Sequence, residues 1–396
     1  KVIYINSMSN FNNKTFKIIK ILSNVTLLFL PIAFILGNAA LNICLTLFVF
    51  FFILSLIKEN DLQIFKNIFF NILAVFWLYL LINSVFINYN ESSIIKTIGY
   101  IRFFLLPFAL LYFFTKQLIF KSIFFYFYSL VFFVVSIDII YQFLYGTNSL
   151  GFIPKMCVTV SKNYYNEFPQ KFDIVNFFDH PYLNGQVLVN CERFSGFFND
   201  ELVAGTYLLI FGLPILTFLM NFRKQIKFSK SIFFLLLLFM MLASLFSGDR
   251  TPILIISITA CIFLIFLKVQ FKKKIYLFSV IIFIFSIIIS ITPHLKHRFI
   301  SWPTQTLFNE NESSTLSRKK NNSLFKVFLF ETQWGLHYLT AYDLAKQNIF
   351  FGNGVKSFRL NCKKYEINYL KSKYLNPEEY KDYKEGPNSG CSTHPH

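Results

Sequence analysis

SIFFLLLLFMMLASLFSGDRTPILIISITACIFLIFLKVQFKKK, residues 231–274, contains two apolar runs separated by a short polar turn and closed by a cluster of lysines. A helix needs about 20 apolar residues to cross the hydrocarbon core of a bilayer, and residues 231–247 and 252–267 come close to that length. Ser247-Gly248-Asp249 forms the turn, and Pro252 suits the first turn of the following helix. Working outward, the same pattern recurs at 21–37, 39–57, 67–87, 94–114, 122–145, 202–222 and 275–292. The runs are continuous, whereas the strands of a membrane barrel would alternate polar and apolar residues. The expected fold class is therefore an all-α polytopic membrane protein with about nine transmembrane helices.

Composition supports that class. Of 396 residues, 55% are hydrophobic, 20% aromatic and 15% charged, and the mean hydropathy is +0.52. Soluble domains carry about 25% charged residues, so soluble, disordered, collagen-like and disulfide-scaffold classes are all excluded. The formal charge of +18 does not call for nucleic acid, because cytoplasmic loops of membrane proteins collect Lys and Arg for topological reasons. With the N-terminus in the cytoplasm, sixteen Lys and Arg fall in the inner segments, while the short outer turns hold Lys96 and Arg250. The expected domains are then 1–145 (spans one to five), 146–201 (first outer loop), 202–292 (spans six to nine) and 293–396 (a large outer loop).

Cysteines agree with that topology. Cys44 and Cys261 lie in spans, while Cys157 and Cys191 share the first outer loop and Cys362 and Cys391 the second. An even pair in each segment of an oxidising compartment suggests Cys157–Cys191 and Cys362–Cys391 bridges, although four cysteines allow three connectivities. Within spans, Arg102 and Asp138 lie at similar depths, about 12 Å from the outer end at 1.5 Å per residue. Either they form a structural ion pair, or Arg102 faces a wet cavity and binds an anion. In CERFSGFFNDELVAGTYLL (191–209), Arg193, Asp200 and Glu201 sit at the membrane boundary. The dipole of the following helix is enough to account for the acidic pair there. Arg250 either snorkels to headgroups or clamps an anion beside a helix start. The last loop is locally basic and contains a helical stretch, QWGLHYLTAYDLAKQN, then FFGNGVKSFR, and it ends in SGCSTHPH. His394 and His396 are either weak metal-ligand candidates or solvent-exposed and idle.

Taken together, RFSGFFNDELVAGTYLL (193–209), SGDRTPILI (247–255), FFGNGVKSFR (350–359) and THPH (393–396), in this order, resemble the O-antigen ligase and O-antigen polymerase family of bacterial envelope membrane proteins. The resemblance spans about residues 90–396. It implies a glycosyltransferase-type reaction on the periplasmic face of the bacterial inner membrane. A glycan would move from an undecaprenyl-diphosphate carrier to a lipid A-core sugar or to another repeat unit. It implies donor-diphosphate binding by Arg250 and Arg193, and His396 as the candidate base or acceptor-orienting group. His394 and Glu201 are the accompanying catalytic candidates, and Arg102 and Arg359 complete the cationic set. It also implies closing spans beyond His396, where the family's following Asn would lie.

The chemistry suits those residue types. Polyprenyl diphosphate is already a good leaving group, so the protein must hold its charges, which Arg does without changing protonation. A neutral His can take the acceptor proton near pH 7. No cofactor and no metal are expected, and the transfer is expected to invert the anomeric centre. The expected partners are the lipid-linked glycan donor, the lipid A-core or glycan acceptor and the lipid bilayer, with no nucleic acid. A transporter or flippase of the same lipid-linked glycans is the competing class; it would place its cations near the bilayer midplane.

Overall fold

The computed structural model describes residues 2–59, 65–87, 89, 91–116, 121–154, 157–161, 163, 186–189, 193–199, 201, 203–221, 229–266, 271–301, 329–330, 333–362 and 367–375. They form helices α1 (Val2–Ile35), α2 (Asn38–Glu59), α3 (Ile68–Ile82), α4 (Glu91–Gly99), α5 (Ile101–Thr115) and α6 (Lys121–Tyr145). A short ribbon of β1 (Val158–Ser161) and β2 (Gln186–Val189) follows, antiparallel, with Val158 opposite Val189. The chain continues with α7 (Ala204–Asn221), α8 (Ser229–Ser247), α9 (Arg250–Phe266), α10 (Phe271–Ile291), α11 (Pro293–Lys296), α12 (Gln333–Gln347), α13 (Ser357–Asn361) and α14 (Ile367–Tyr374). The described residues are thus mainly helical, with one two-stranded ribbon that the all-α expectation did not include. VTVS and QVLV are rich in β-branched residues, and pairing supplies the backbone bonds that a lone extended segment lacks.

Among the described residues, five helices are long and apolar enough to cross a membrane: Phe16–Ile35, Asn38–Glu59, Ile68–Phe86, Glu91–Thr115 and Ser122–Tyr145. Shorter apolar helices occupy Ala204–Leu219, Ile232–Ser247, Arg250–Ile262 and Ser279–Ile291, where the remaining spans were expected. The third run ends in a π-helical turn at Asn83–Ile87. The fourth is interrupted at Tyr100, whose carbonyl accepts from the amides of Phe103 and Phe104 as the helix resumes.

The chain divides into two compact units. One comprises residues 1–55 and 113–301, the other 56–112 and 302–396. In the first, α6, α7 and α8 pack together. Gly212 of α7 is where they meet: a Cβ there would come within 2.6 Å of the Met240 sulfur and 3.1 Å of the Phe132 ring. A small residue lets apolar helices approach closely when no water is present to drive them together. Phe34 of α1 closes the bundle edge-on against Phe198, Tyr207 and Phe211.

Several polar groups within these helices bond to the helix's own backbone or to that of a neighbour. The hydroxyls of Ser23, Ser55 and Ser136 donate to the carbonyl four residues back, at 2.7–2.8 Å. Pro31 lies inside α1 and has no N–H for the carbonyl of Leu27. The Tyr128 hydroxyl of α6 donates to that carbonyl at 2.7 Å, so a hydrocarbon environment finds no orphaned acceptor there.

In the second unit, Phe330, Leu336, Leu339, Leu344, Leu370 and Leu375 form a separate core under α12 and α14. Asp343 is buried and accepts from Lys373 at 2.7 Å and from the Tyr374 hydroxyl. Burial first, then the bond to Asp343, pushes the Tyr374 phenol up to about 12. The GNG loop after α12 is tied to α3 and α4. The carbonyl of Phe351 accepts from Tyr79 and Asn83, and that of Val355 accepts from Ser93 at 2.8 Å.

Candidate functional site at the SGDR turn

The turn between α8 and α9 gathers three arginines within the first unit. Gly248 makes it possible by adopting φ +74°, a left-handed conformation that favours glycine. Asp249 then turns toward the start of α7 and accepts from the Gly205 amide at 2.9 Å. That amide is one of the N–H groups a helix start leaves without an internal partner, so a carboxylate suits it both as acceptor and by charge. A Cβ on Gly205 would lie 2.7 Å from Asp249 Cβ and 2.9 Å from the Pro252 ring. Glycine is therefore what allows α7 this close to the turn.

Arg193 reaches the same carboxylate, with Nε 3.5 Å from Asp249 Oδ1 and only 18% of the side chain exposed. Its placement follows from the next residue. Phe194 donates its amide to the Ser247 carbonyl at 3.0 Å and buries its ring in a cluster with Phe143, Leu245 and Leu295. Arg298 approaches from the far side of α10, donating through Nε to the Gly248 carbonyl at 3.3 Å. Its neighbour Phe299 packs on that same apolar cluster. Arg250, the first residue of α9, donates through Nη2 to the Arg298 carbonyl. Each Arg-Phe pair thus drives an aromatic ring inward and leaves its guanidinium at the turn.

Two guanidinium groups, those of Arg193 and Arg298, act on the one carboxylate, and Arg250 adds a third positive charge at the turn, so the site carries a local surplus of positive charge. Burial pushes the Asp249 carboxyl above the usual carboxylate range. Arg193, the Gly205 amide and Arg298 oppose that shift without overcoming it. The adjoining segment is held just as firmly. The Gly196 amide donates to Gln142 at 2.7 Å and its carbonyl accepts from Asn148 at 3.1 Å. Such a site can hold an anion with more than one negative charge, in a form that does not depend on arginine protonation.

Of the residues singled out in the sequence, Arg193 and Arg250 come together here. Glu201 is exposed in the short connection before α7. Arg102, on α5, belongs to the second unit, with its guanidinium 4.9 Å from the Phe103 ring. Arg359, also in the second unit, is exposed on α13. Asp138, expected opposite Arg102, accepts instead from the amide and hydroxyl of Ser149, at 2.9 and 2.6 Å. Cys157 and Cys362 are disulfide-bonded, and Cys44 and Cys261 are free. His394, His396, Cys191 and Cys391 lie outside the described residues, and so do the expected pairings. Among the described residues no three His, Cys, Asp or Glu side chains gather as a metal site needs.

Arg298 and Asp249 were not assigned a role from sequence. In the sequence Asp249 reads only as part of a turn. For Arg298 a signal existed: it begins an Arg-Phe pair just beyond an apolar run, and Arg193-Phe194 is another such pair.

No family model, curated protein or solved structure matches the chain. Its apolar helices make it a multi-pass membrane protein in contact with lipid.

Proposed function

We propose that the protein transfers a glycan from a polyprenyl-diphosphate carrier to an acceptor hydroxyl at the outer face of the bacterial inner membrane, in the manner of O-antigen ligases and polymerases. The observation that carries this proposal is the convergence of Arg193, Arg250 and Arg298 on the Asp249 turn. Arg193 and Arg250 come from two separate stretches of the chain that carry the family resemblance. The site lies where several helices of the first unit end or begin, not midway along them, and this favours chemistry at a membrane face over transport through the midplane.

In this proposal the donor diphosphate sits among the three guanidinium groups. The acceptor oxygen forms a bond to the anomeric carbon as the bond from that carbon to the diphosphate oxygen breaks. The departing charge stays on the diphosphate, which the arginines stabilise. His396 takes the acceptor proton, and His394 and Glu201 assist in orientation. The topology that goes with it has nine spans, a cytoplasmic N-terminus and periplasmic segments at 146–201 and 293–396. Supporting it, the C-terminal end of α8 and the first turns of α7 and α9 meet at the Asp249 turn. The disulfide-bonded Cys157 and Cys362 fall in the two segments assigned to an oxidising compartment.

The test is complementation of ligase-null and polymerase-null hosts with the full-length gene, read as the lipopolysaccharide ladder. A ladder restored in one host identifies the acceptor, and Arg250→Ala or Arg298→Ala should then reduce it at least about tenfold, as expected for lost charge-assisted bonds. Failure in both hosts, with normal membrane insertion, would favour the transporter class. Arginine variants that remain fully active would remove the basis for the proposal.

A further inference from the structure

We infer that the loop tip Ile349-Phe350-Phe351 is an interfacial anchor that enters the boundary between lipid headgroups and acyl chains beside α3. The three side chains are 74%, 91% and 57% exposed. They follow one another in sequence, and none belongs to the apolar core under α12 and α14. Three adjacent large apolar groups facing water would be costly, and such patches mark a surface that something covers.

The loop is built to hold them outward. Asn348 donates through Nδ2 to Asn353 Oδ1 at 2.6 Å, and Asn353 donates to the Leu344 carbonyl. Gly352 donates its amide to the Asn348 carbonyl at 2.7 Å, and its φ of +60° closes the turn.

Lipid is the occupant because of where the tip is fastened. The Phe351 carbonyl accepts from both Tyr79 and Asn83, within the apolar segment Ile68–Phe86, only 11% of which is buried within the protein. Asn83 precedes the end of that segment by three positions, roughly 5 Å along a helix. The tip is therefore pinned at the level of the last turn of a lipid-facing span. Phe86 and Tyr89, 79% and 78% exposed, continue the same apolar surface. Lys346 and Lys356 flank the tip in sequence, where ammonium groups suit lipid phosphates.

The inference can be tested with nitroxide labels attached singly at Phe350→Cys and Ser372→Cys, in a Cys44→Ala/Cys261→Ala background. The full-length protein is placed, one copy per disc, in nanodiscs of phosphatidylcholine and phosphatidylglycerol. Phe350 needs no repacking to accept a label, and Ser372, exposed on α14, supplies the aqueous reference. The expected result is a several-fold higher ratio of oxygen to nickel-chelate collisions at 350 than at 372. Equal ratios would overturn the inference. So would a label at 350 that becomes shielded only when two copies share a disc, because a second chain would then be the occupant.

Discussion

Asp249 carries the least typical electrostatics at the site. Its carboxyl is buried, and that burial outweighs two arginines and an amide donor in setting its proton affinity. The folded state therefore binds this proton more tightly than the unfolded chain does. In the window from the ordinary carboxylate value up to the raised native one, stability falls as pH rises, by at most about 1.4 kcal/mol per pH unit for one group. Asp249→Asn keeps an oxygen to accept from Gly205 but cannot titrate. Melting temperatures measured across the acidic range should therefore lose that slope in the variant. Parallel curves for the two proteins would show that Asp249 does not titrate differently on folding. At neutral pH the same substitution removes the partner of Arg193, and the guanidinium should lose its fixed direction.

Close approach of the helices depends on two glycines, with unequal tolerance. At Gly205 an added methyl meets Asp249 Cβ at 2.7 Å and the Pro252 ring at 2.9 Å, neither of which can swing away. At Gly212 the nearest atom is the sulfur of Met240, on a flexible side chain. Overpacking costs typically 1–3 kcal/mol, against a gain of about 1 kcal/mol for Ala over Gly within a helix. Gly205→Ala should lower the melting temperature clearly, and Gly212→Ala by less; thermal melts of the two variants in nanodiscs check the order. The Leu27 carbonyl offers a second test. Tyr128→Phe orphans it at a cost of about 1–3 kcal/mol. Pro31→Ala gives α1 its own donor for that carbonyl, so the tyrosine hydroxyl should matter much less in that background. A double-mutant cycle that shows strict additivity would break the link between the two residues.

For the whole molecule, the disulfides offer a test of the proposed placement of both long loops in an oxidising compartment. Cys157 and Cys362 belong to different units, and both are bonded. Alkylation of the denatured, unreduced protein followed by peptide mapping should modify Cys44 and Cys261 and spare Cys157 and Cys362. Modification of all four would remove the oxidising-compartment argument for both loops. The same compartment would hold the loop at 350–356 and the C-terminal end of α3, because the bonds from Tyr79 and Asn83 to Phe351 keep them together.

Hydropathy belongs to each stretch of chain alone, and so the apolar helices could be read without coordinates. The SGDR turn was equally local: Gly248, with the acid and the arginine after it, announced a tight reversal before a helix. The two-stranded ribbon is not legible in the same way, because a four-residue strand is too short to show a period of its own. Only tertiary structure decided which arginines meet. Arg193 and Arg250 were both visible as candidates, but Arg298 joined them because Phe299 found the same apolar cluster as Phe194. Likewise the Tyr128 hydroxyl supplies the donor that Pro31 lacks, across about a hundred residues of sequence. A pattern of apolar residues says that a surface must be buried, but it does not say against what. That choice rests on the fit of particular side chains, to which a linear pattern is blind.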